Sequence, residues 1–315
     1  MKNLTKQVSI VIPVYNGEKS ISKLVDQLIE NISNELLSEI ILINDCSQDE
    51  SEQVCTDIYF RHPQIVSFYS LSKNVGEHNA VMAGLNKTTN DYVVILDDDF
   101  QNSVGEVIKL INYALENNYD VVYTYYEKKQ HSFFRNMGSR FNDLVANAML
   151  KKPKGLYLSS FKIMNRFIVN EIINYKLPYT YIDGLILQTT SNIGKIKVDH
   201  DKRLYGKSGY TFRKMVSLWL NMFTNFSILP LRMAIILGLI FSVFGFALGV
   251  VSIIDYFSNP EIPQGYTSLV VIISIFSGVQ LIAIGTIGEY LGRLFLSQNK
   301  KPQYTIRNSF ERKTN

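Results

Sequence analysis

The chain has 315 residues, of which 46% are hydrophobic, 19% charged and 12% aromatic, and it carries a formal net charge of +4. That apolar content excludes an intrinsically disordered chain, and the composition also excludes collagen-like and disulfide-scaffold classes. Length alone suggests about two domains, and a mean hydropathy near zero averages over two very different parts.

Residues 1–7 lead straight into an apolar run without a secretory pattern, so translocation of the N-terminal part is not expected. Short runs rich in Val, Ile and Tyr at 8–14, 39–44, 65–69, 92–96 and 120–124 predict strands. The segments 20–32, 49–60, 75–85 and 104–116 carry helical spacing. This alternation predicts an α/β fold with a mostly parallel, helix-covered sheet. In such a sheet the ligand lies beyond the carboxyl ends of the strands. The residues at those ends are Pro13, Tyr15, Asn16 and Glu18, then Asn44 and Asp45, then Lys73 to Asn79, then Asp97 to Gln101. Neither a Rossmann GxGxxG nor a Walker A sequence occurs, which removes the main support for dinucleotide and P-loop readings. Two cysteines, Cys46 and Cys55, lack metal-site spacing and fit a reducing cytosol.

Asp97, Asp98 and Asp99 follow an apolar strand. In an extended backbone Asp97, Asp99 and Gln101 share one face while Asp98 points away. Oxygen ligands grouped in this way suit Mg²⁺ or Mn²⁺ together with a diphosphate; an isolated acidic triplet reads more readily as a solvated turn, but its position after an apolar strand, at the rim where α/β ligands bind, reverses that preference. Asp45 can accept a hydrogen bond from a base N–H or can serve as a turn and cap residue. Lys73, Asn74, Gly76, His78 and Asn79 form a polar turn before a helix, suited to phosphate or ribose contact. Arg203, Lys207, Ser208 and Gly209 form a basic loop that fits a diphosphate or anionic lipid.

Apolar residues recur at helical spacing between 133 and 148, with Arg135 and Arg140 between them, and again between 212 and 226. The second stretch predicts an amphipathic helix at a membrane surface, spanning about 210–229. Residues 233–254 and 262–288 contain no Asp, Glu, Lys or Arg, and each run can cross a ~30 Å hydrocarbon layer as a helix. Lys and Arg flank this hairpin on both sides, whereas its connecting loop has none, so the positive-inside bias places both termini in the cytoplasm. The expected organisation is a polar domain at 1–209, the amphipathic segment, membrane helices at 231–257 and 266–291, and a basic tail at 292–315. Basic residues gathered beside the membrane fit lipid and phosphate better than nucleic acid.

Several segments carry a resemblance in order: 8–18 (VSIVIPVYNGE), 43–49 (INDCSQD), 73–79 (KNVGEHN), 96–102 (LDDDFQN), 161–164 (FKIM), 203–210 (RLYGKSGY), 229–232 (LPLR) and 288–293 (GEYLGR). Together they resemble family 2 glycosyltransferases, specifically the polyprenyl-phosphate branch that includes dolichyl-phosphate mannose synthase, bactoprenol glucosyltransferase and undecaprenyl-phosphate aminoarabinose-type transferases. The resemblance implies a GT-A nucleotide-sugar-binding domain. It gives Pro13, Tyr15, Glu18 and Asp45 to the nucleotide, and Asp97, Asp99 and Gln101 to the metal and diphosphate. Lys73, Asn79 and Asp98 complete the donor side. Arg135, Arg203 and Lys207 would engage the donor diphosphate or the lipid phosphate, with Arg203 and Lys207 joining Asp97 and Asp99 in catalysis. Two positions depart from the pattern: Ser159 and Ser160 stand where an acidic residue is usual, and Tyr125 and Tyr126 stand where many members have Arg.

The implied reaction is inverting transfer of one sugar from a nucleotide-sugar, UDP-linked, to undecaprenyl phosphate at the cytoplasmic face of a bacterial membrane, for cell-envelope glycan modification. A homo-oligomer, a tetramer by resemblance, is implied as well. Transfer to a growing glycan or diacylglycerol, and a catalytically inactive membrane scaffold, stay open on sequence alone.

Overall fold

The computed structural model describes residues 6–33, 36–126, 153, 155–177, 180–199, 229–258, 265–299 and 302–313. The chain divides into two units, Met1–Thr211 with Lys300–Asn315, and Phe212–Asn299.

In the first unit the β-branched runs form β1 (Val8–Val14), β2 (Leu37–Asn44), β3 (Val66–Leu71), β4 (Tyr92–Ile95) and β5 (Val121–Tyr125). The segments with helical spacing form α1 (Ile21–Asn31), α2 (Ser51–Arg61), α3 (Glu77–Leu85) and α4 (Val104–Asn117). All nine lie where periodicity predicts them. Three further strands have no counterpart in that pattern: β6 (Lys162–Asn165), β7 (Ile193–Lys197) and β8 (Ile306–Phe310). Helices α5 (Arg166–Ile173) and α6 (Ile182–Thr189) lie between β6 and β7.

The sheet order is β7-β5-β6-β4-β1-β2-β3-β8. β1 pairs in parallel with β2 and β4, β2 with β3, and β5 with β7. β6 runs antiparallel to β4 and β5, and β8 runs antiparallel to β3. Six of the eight strands run the same way, so the sheet is mostly parallel as the alternation predicts, and it is mixed because β6 and β8 are inserted antiparallel, outside the βαβ succession.

Alternation along each strand assigns the two faces. One carries Ile10, Ile12, Leu42, Phe68, Val94 and Val122 into the main core with Leu24 and Leu28 of α1, Ile58 of α2 and Val107, Leu110 and Ile111 of α4. The other carries Val11, Ile43, Ile95 and Tyr123. Here α3 approaches so closely that a Cβ on Gly84 would lie 2.3 Å from Val11 Cγ1, so only glycine fits.

The segment expected as a basic tail supplies an edge strand. Phe310 stacks on Phe68 with centroids 6.0 Å apart and touches Tyr59 and Phe60. Arg312 pairs with buried Glu39 at 3.3 Å, and the Ser72 N–H donates to Thr305 O at 2.8 Å. One edge of the sheet is thus formed by residues that follow the apolar helices in sequence.

The second unit contains α7 (Leu229–Ser258) and α8 (Tyr266–Gln298). Within them 231–251 and 275–296 are long and apolar enough to cross a membrane. Large apolar side chains stand open along these helices, including Phe246 at 76% and Leu281 at 70% exposure, a pattern suited to lipid. Gly245 receives the Phe276 ring, with Cζ 2.5 Å from where a Cβ would stand, and Phe276 meets Phe241 edge-on. Such small-residue contacts let apolar helices approach closely. The amphipathic stretches at 133–148 and 212–226 lie outside the described residues.

Candidate active site

Three loops meet beyond the carboxyl ends of β1, β2 and β3. Asn16 adopts a left-handed φ of 56° after β1, which turns its amide toward the β2–α2 loop. Its N–H donates to Ser47 Oγ at 3.1 Å while its Oδ1 accepts from Gln48 N at 2.8 Å. Gly17 N donates to Ser51 Oγ, and Glu50 N donates to the Glu18 carboxylate at 3.1 Å. Fully buried Asn44 braces the same turn by accepting from Ser47 N and Oγ. These reciprocal bonds satisfy backbone groups that a loop would otherwise leave to water.

Asp45 ties in the third loop. Its two carboxylate oxygens accept from Val75 N at 2.7 Å and Gly76 N at 2.9 Å, just ahead of α3. Burial pushes its pKa up, and the two backbone bonds oppose that rise. Each carboxylate oxygen retains a lone pair beyond the bond it accepts, so Asp45 both shapes the loop and remains an acceptor for a base N–H. Asn79 donates to Val75 O, and its buried Oδ1 has no partner among the described residues. Tyr15 and Lys73 stand exposed at the rim, and Pro13 is paired opposite Ile43 within β1.

β4 ends at Ile95, and the chain turns at residues 98–100 instead of continuing the extended run assumed from the sequence, with Phe100 at a left-handed φ of 62°. The three aspartates take three different partners. Asp98 turns to the first loop and accepts from Tyr15 N at 3.0 Å, packed so tightly that a Cβ on Gly17 would lie 2.4 Å from its Oδ2. Asp99 accepts from Gln101 N at 3.2 Å. Asp97 accepts from Ser160 Oγ at 2.5 Å. Burial raises the Asp97 carboxyl to about 7, and the negative charges of Glu77 and Asp99 add to the rise, against the Ser160 bond and the Lys162 charge.

A carboxyl pushed up by burial, with acidic neighbours adding to the rise, is a site short of positive charge. Its oxygen donors suit a hard divalent cation, so Asp97, Asp99 and Gln101 fit such an ion chemically. Among the described residues, no three Asp, Glu, His or Cys side chains converge as a complete ligand set, as expected where substrate and water fill the remaining positions. Arg135, Arg203 and Lys207 lie outside the described residues.

Sequence reasoning did not assign several residues on this rim. Thr124 Oγ1 donates to Ser159 Oγ, and Tyr126 OH donates to Asn102 Oδ1 at 3.1 Å with Tyr157 edge-on beside it. Lys162 and Asp183 form a buried ion pair. The available signal was a lone charge inside each of two apolar segments, Phe161-Lys-Ile-Met and Tyr181-Ile-Asp-Gly-Leu-Ile.

The family model for glycosyl transferase family 2 matches residues 9–173. The chain is 32% identical over 305 residues to an undecaprenyl-phosphate 4-deoxy-4-formamido-L-arabinose transferase of Enterobacter sp. (strain 638), covering 95% of this chain and 92% of that protein. It is 33% identical to the enzyme of the same description from Proteus mirabilis (strain HI4320), over 95% and 93% of the two chains. Among solved structures, glucosyl-3-phosphoglycerate synthase from Mycobacterium tuberculosis bound to phosphoglyceric acid superposes with a TM-score of 0.53 at 16% identity, over 69% of this chain and 79% of that one. The same enzyme with Mn²⁺, uridine-diphosphate and phosphoglyceric acid gives 0.51 at 17%, over 69% and 78%. At such identity these two likenesses show a shared GT-A fold. The chain belongs to glycosyl transferase family 2.

Proposed function

We propose that this protein transfers a single sugar, with inversion, from a nucleotide-sugar donor, UDP-linked, to undecaprenyl phosphate at the cytoplasmic face of a bacterial membrane. The observation that carries the reading is the bond by which Asp98, between Asp97 and Asp99, ties the aspartate segment to three interlocked loops at one rim of the sheet, in a chain that also bears two membrane-length helices. Relatives that act on undecaprenyl phosphate, aligned over 95% of the chain, support the acceptor.

The nucleotide would lie against the first three loops, where Tyr15 offers a surface for the base and Asp45 an acceptor for its N–H. Asp97, Asp99 and Gln101 would hold Mg²⁺ or Mn²⁺, which when bound supplies positive charge to the diphosphate. A phosphate monoester has a second pKa near ~6, so the acceptor oxygen is already largely anionic near neutral pH. It attacks the anomeric carbon; the new C–O bond forms as the bond to the donor β-phosphate breaks, and the electron pair leaves with the nucleoside diphosphate. No proton need be removed from the acceptor. This agrees with Ser160 at the usual acidic position, where its hydroxyl proton is engaged by Asp97. Arg203 and Lys207 are assigned to the phosphates as fixed positive charge.

The chain up to Thr211 and the chain from Lys300 onward belong to one unit, which agrees with two crossings and with both termini on one side. The test is mass spectrometry of lipid products from detergent-purified protein given Mn²⁺ or Mg²⁺, undecaprenyl phosphate and a panel of nucleotide sugars. A product heavier than the carrier phosphate by one sugar is expected. Sugar transfer that proceeds without polyprenyl phosphate, or a product of retained configuration, would overturn the reading.

A further inference from the structure

The sheet face beneath α3 and α6 contains charge where an apolar layer would serve packing equally well. Lys162 on β6 is 3% exposed, and its ammonium bonds to the Asp183 carboxylate in the first turn of α6. Asp183 also accepts from the Tyr123 hydroxyl at 2.7 Å, and the ammonium lies 5.0 Å from the Tyr123 ring centroid. Replacing such a buried pair by hydrophobic residues is often neutral or stabilising, so packing alone does not account for it.

Register gives the pair an address. β6 sets Lys162 opposite Ile95. Continued by two residues, the same antiparallel pairing sets Ser160 opposite Asp97, and those side chains meet at 2.5 Å. Ser160 stands two residues ahead of Lys162, just before β6 begins, and its hydroxyl reaches Asp97; by that register Lys162 is the diagonal neighbour of Asp97, a separation within reach of a long side chain. Negative charge from Glu77 and Asp99 converges on Asp97, and the Lys162 charge acts against it.

We propose that Lys162, itself fixed by Asp183 and Tyr123, is a positioning residue that, with Ser160, holds the Asp97 carboxylate in place as a cation ligand. This rests on the reading of Asp97 and Asp99 as the ligands of a divalent ion. The ammonium offsets the convergence of carboxylates before a cation arrives. Asp183 keeps it from swinging to the rim, where it would compete with that cation.

The test replaces the pair without leaving an orphaned charge: Lys162→Met combined with Asp183→Asn, which retains an acceptor for Tyr123. Mn²⁺ binding to the full-length, detergent-purified chain is read by electron paramagnetic resonance with UDP present, beside thermal unfolding and turnover per folded molecule. The expected result is cooperative unfolding with Mn²⁺ affinity about 10–100-fold weaker, and Lys162→Arg alone recovering most of the loss. A folded double variant with wild-type Mn²⁺ affinity and turnover would reduce the pair to packing and overturn the proposal. Should the double variant fail to fold, Tyr123→Phe, which loosens Asp183 without exposing a charge, decides: weakened Mn²⁺ binding supports positioning, and unchanged binding overturns it. A wild-type chain that binds no Mn²⁺ overturns the metal assignment and this proposal together. Wild-type binding with no loss in the variants overturns this proposal alone.

Discussion

Replacing Arg312 by alanine takes the counter-charge from a carboxylate at the opposite end of the sheet from the rim. Glu39 is 3% exposed and Arg312 21%, with Nη2 3.3 Å from Oε2. Glu39 Oε1 keeps its bonds from Ser9 Oγ, Thr89 N and Oγ1, and Asn90 Nδ2, and Arg166 remains near enough to feel its charge. Arg312 also donates to Ser38 O at 2.8 Å. Breaking a fully buried pair costs about 3–5 kcal/mol; the remaining donors and the partial exposure of Arg312 reduce this to about 2 kcal/mol. Loss on that scale speeds amide exchange in β3 and β8 about thirtyfold if both open with the strap. Hydrogen-exchange mass spectrometry of the full-length protein, alongside urea unfolding, reads both quantities. Adding Glu39→Gln to Arg312→Ala removes the orphaned charge and should recover about 1 kcal/mol as a coupling term. Wild-type exchange in β3 and β8 together with an unchanged unfolding midpoint would refute the strap.

Asp99→Asn should lower turnover about a hundredfold or more with an unfolding midpoint near wild type, since the turn sits at the rim; a variant with wild-type turnover, or wild-type turnover under excess chelator, removes the metal assignment. His78, next to Asp183 and Lys162, is pushed down from 6.5 to about 4 by burial. Between those values the unfolded chain binds the proton and the folded chain does not, so His78 makes stability rise with pH over that window, an effect fully present above 6.5 and lost toward 4. Thermal midpoints of His78→Gln should depend less steeply on pH there, and an unchanged slope would count against it. Gly84→Ala should destabilise by about 1–3 kcal/mol, because its Cβ would stand 2.3 Å from Val11 Cγ1 and 3.3 Å from Ile43 Cγ1; an unaltered unfolding curve would show that α3 can shift.

The five strands and four helices of the βαβ succession were legible because each is a local pattern: β-branched residues bounded by polar turns, or apolar residues three and four apart. β8 was not, for a physical reason. Its residues, Ile306-Arg-Asn-Ser-Phe310, are mostly exposed, as suits an edge strand buried on one side at most. Its partner β3 lies more than 230 positions away in sequence, so no local window contains the pairing. β6 spans four residues, and β7 includes Gly194 and two lysines, so neither has the length or composition that marks a strand. In the site, alternation did not foresee the turn at 98–100, which gives Asp97, Asp98 and Asp99 three different partners. Lys162 and Asp183 were readable as lone charges in apolar runs, but their partnership depends on a contact between β6 and α6.

The rim residues show why resemblance names a binding residue more readily than it describes its work. Asp45, Glu18 and Asp98 each spend carboxylate oxygens on backbone N–H groups of another loop. The bonds join the ends of β1, β2 and β4 to the start of α3, so the acceptors offered to a nucleotide are held before it arrives. Binding then orders few new side chains, and less of the interaction energy is lost to conformational entropy. The arrangement also sets how substitutions there must be interpreted. Removing Asp45 frees two N–H groups and loosens the 73–79 loop as well as deleting the proposed base acceptor, so weaker nucleotide affinity alone does not prove direct contact. Asp97 differs: its bonded partner is the Ser160 hydroxyl, not loop backbone. A substitution there perturbs the charge of the proposed cation site more than the scaffold, which makes the Asp97 side of the rim the place where the proposed chemistry and folding can be separated experimentally.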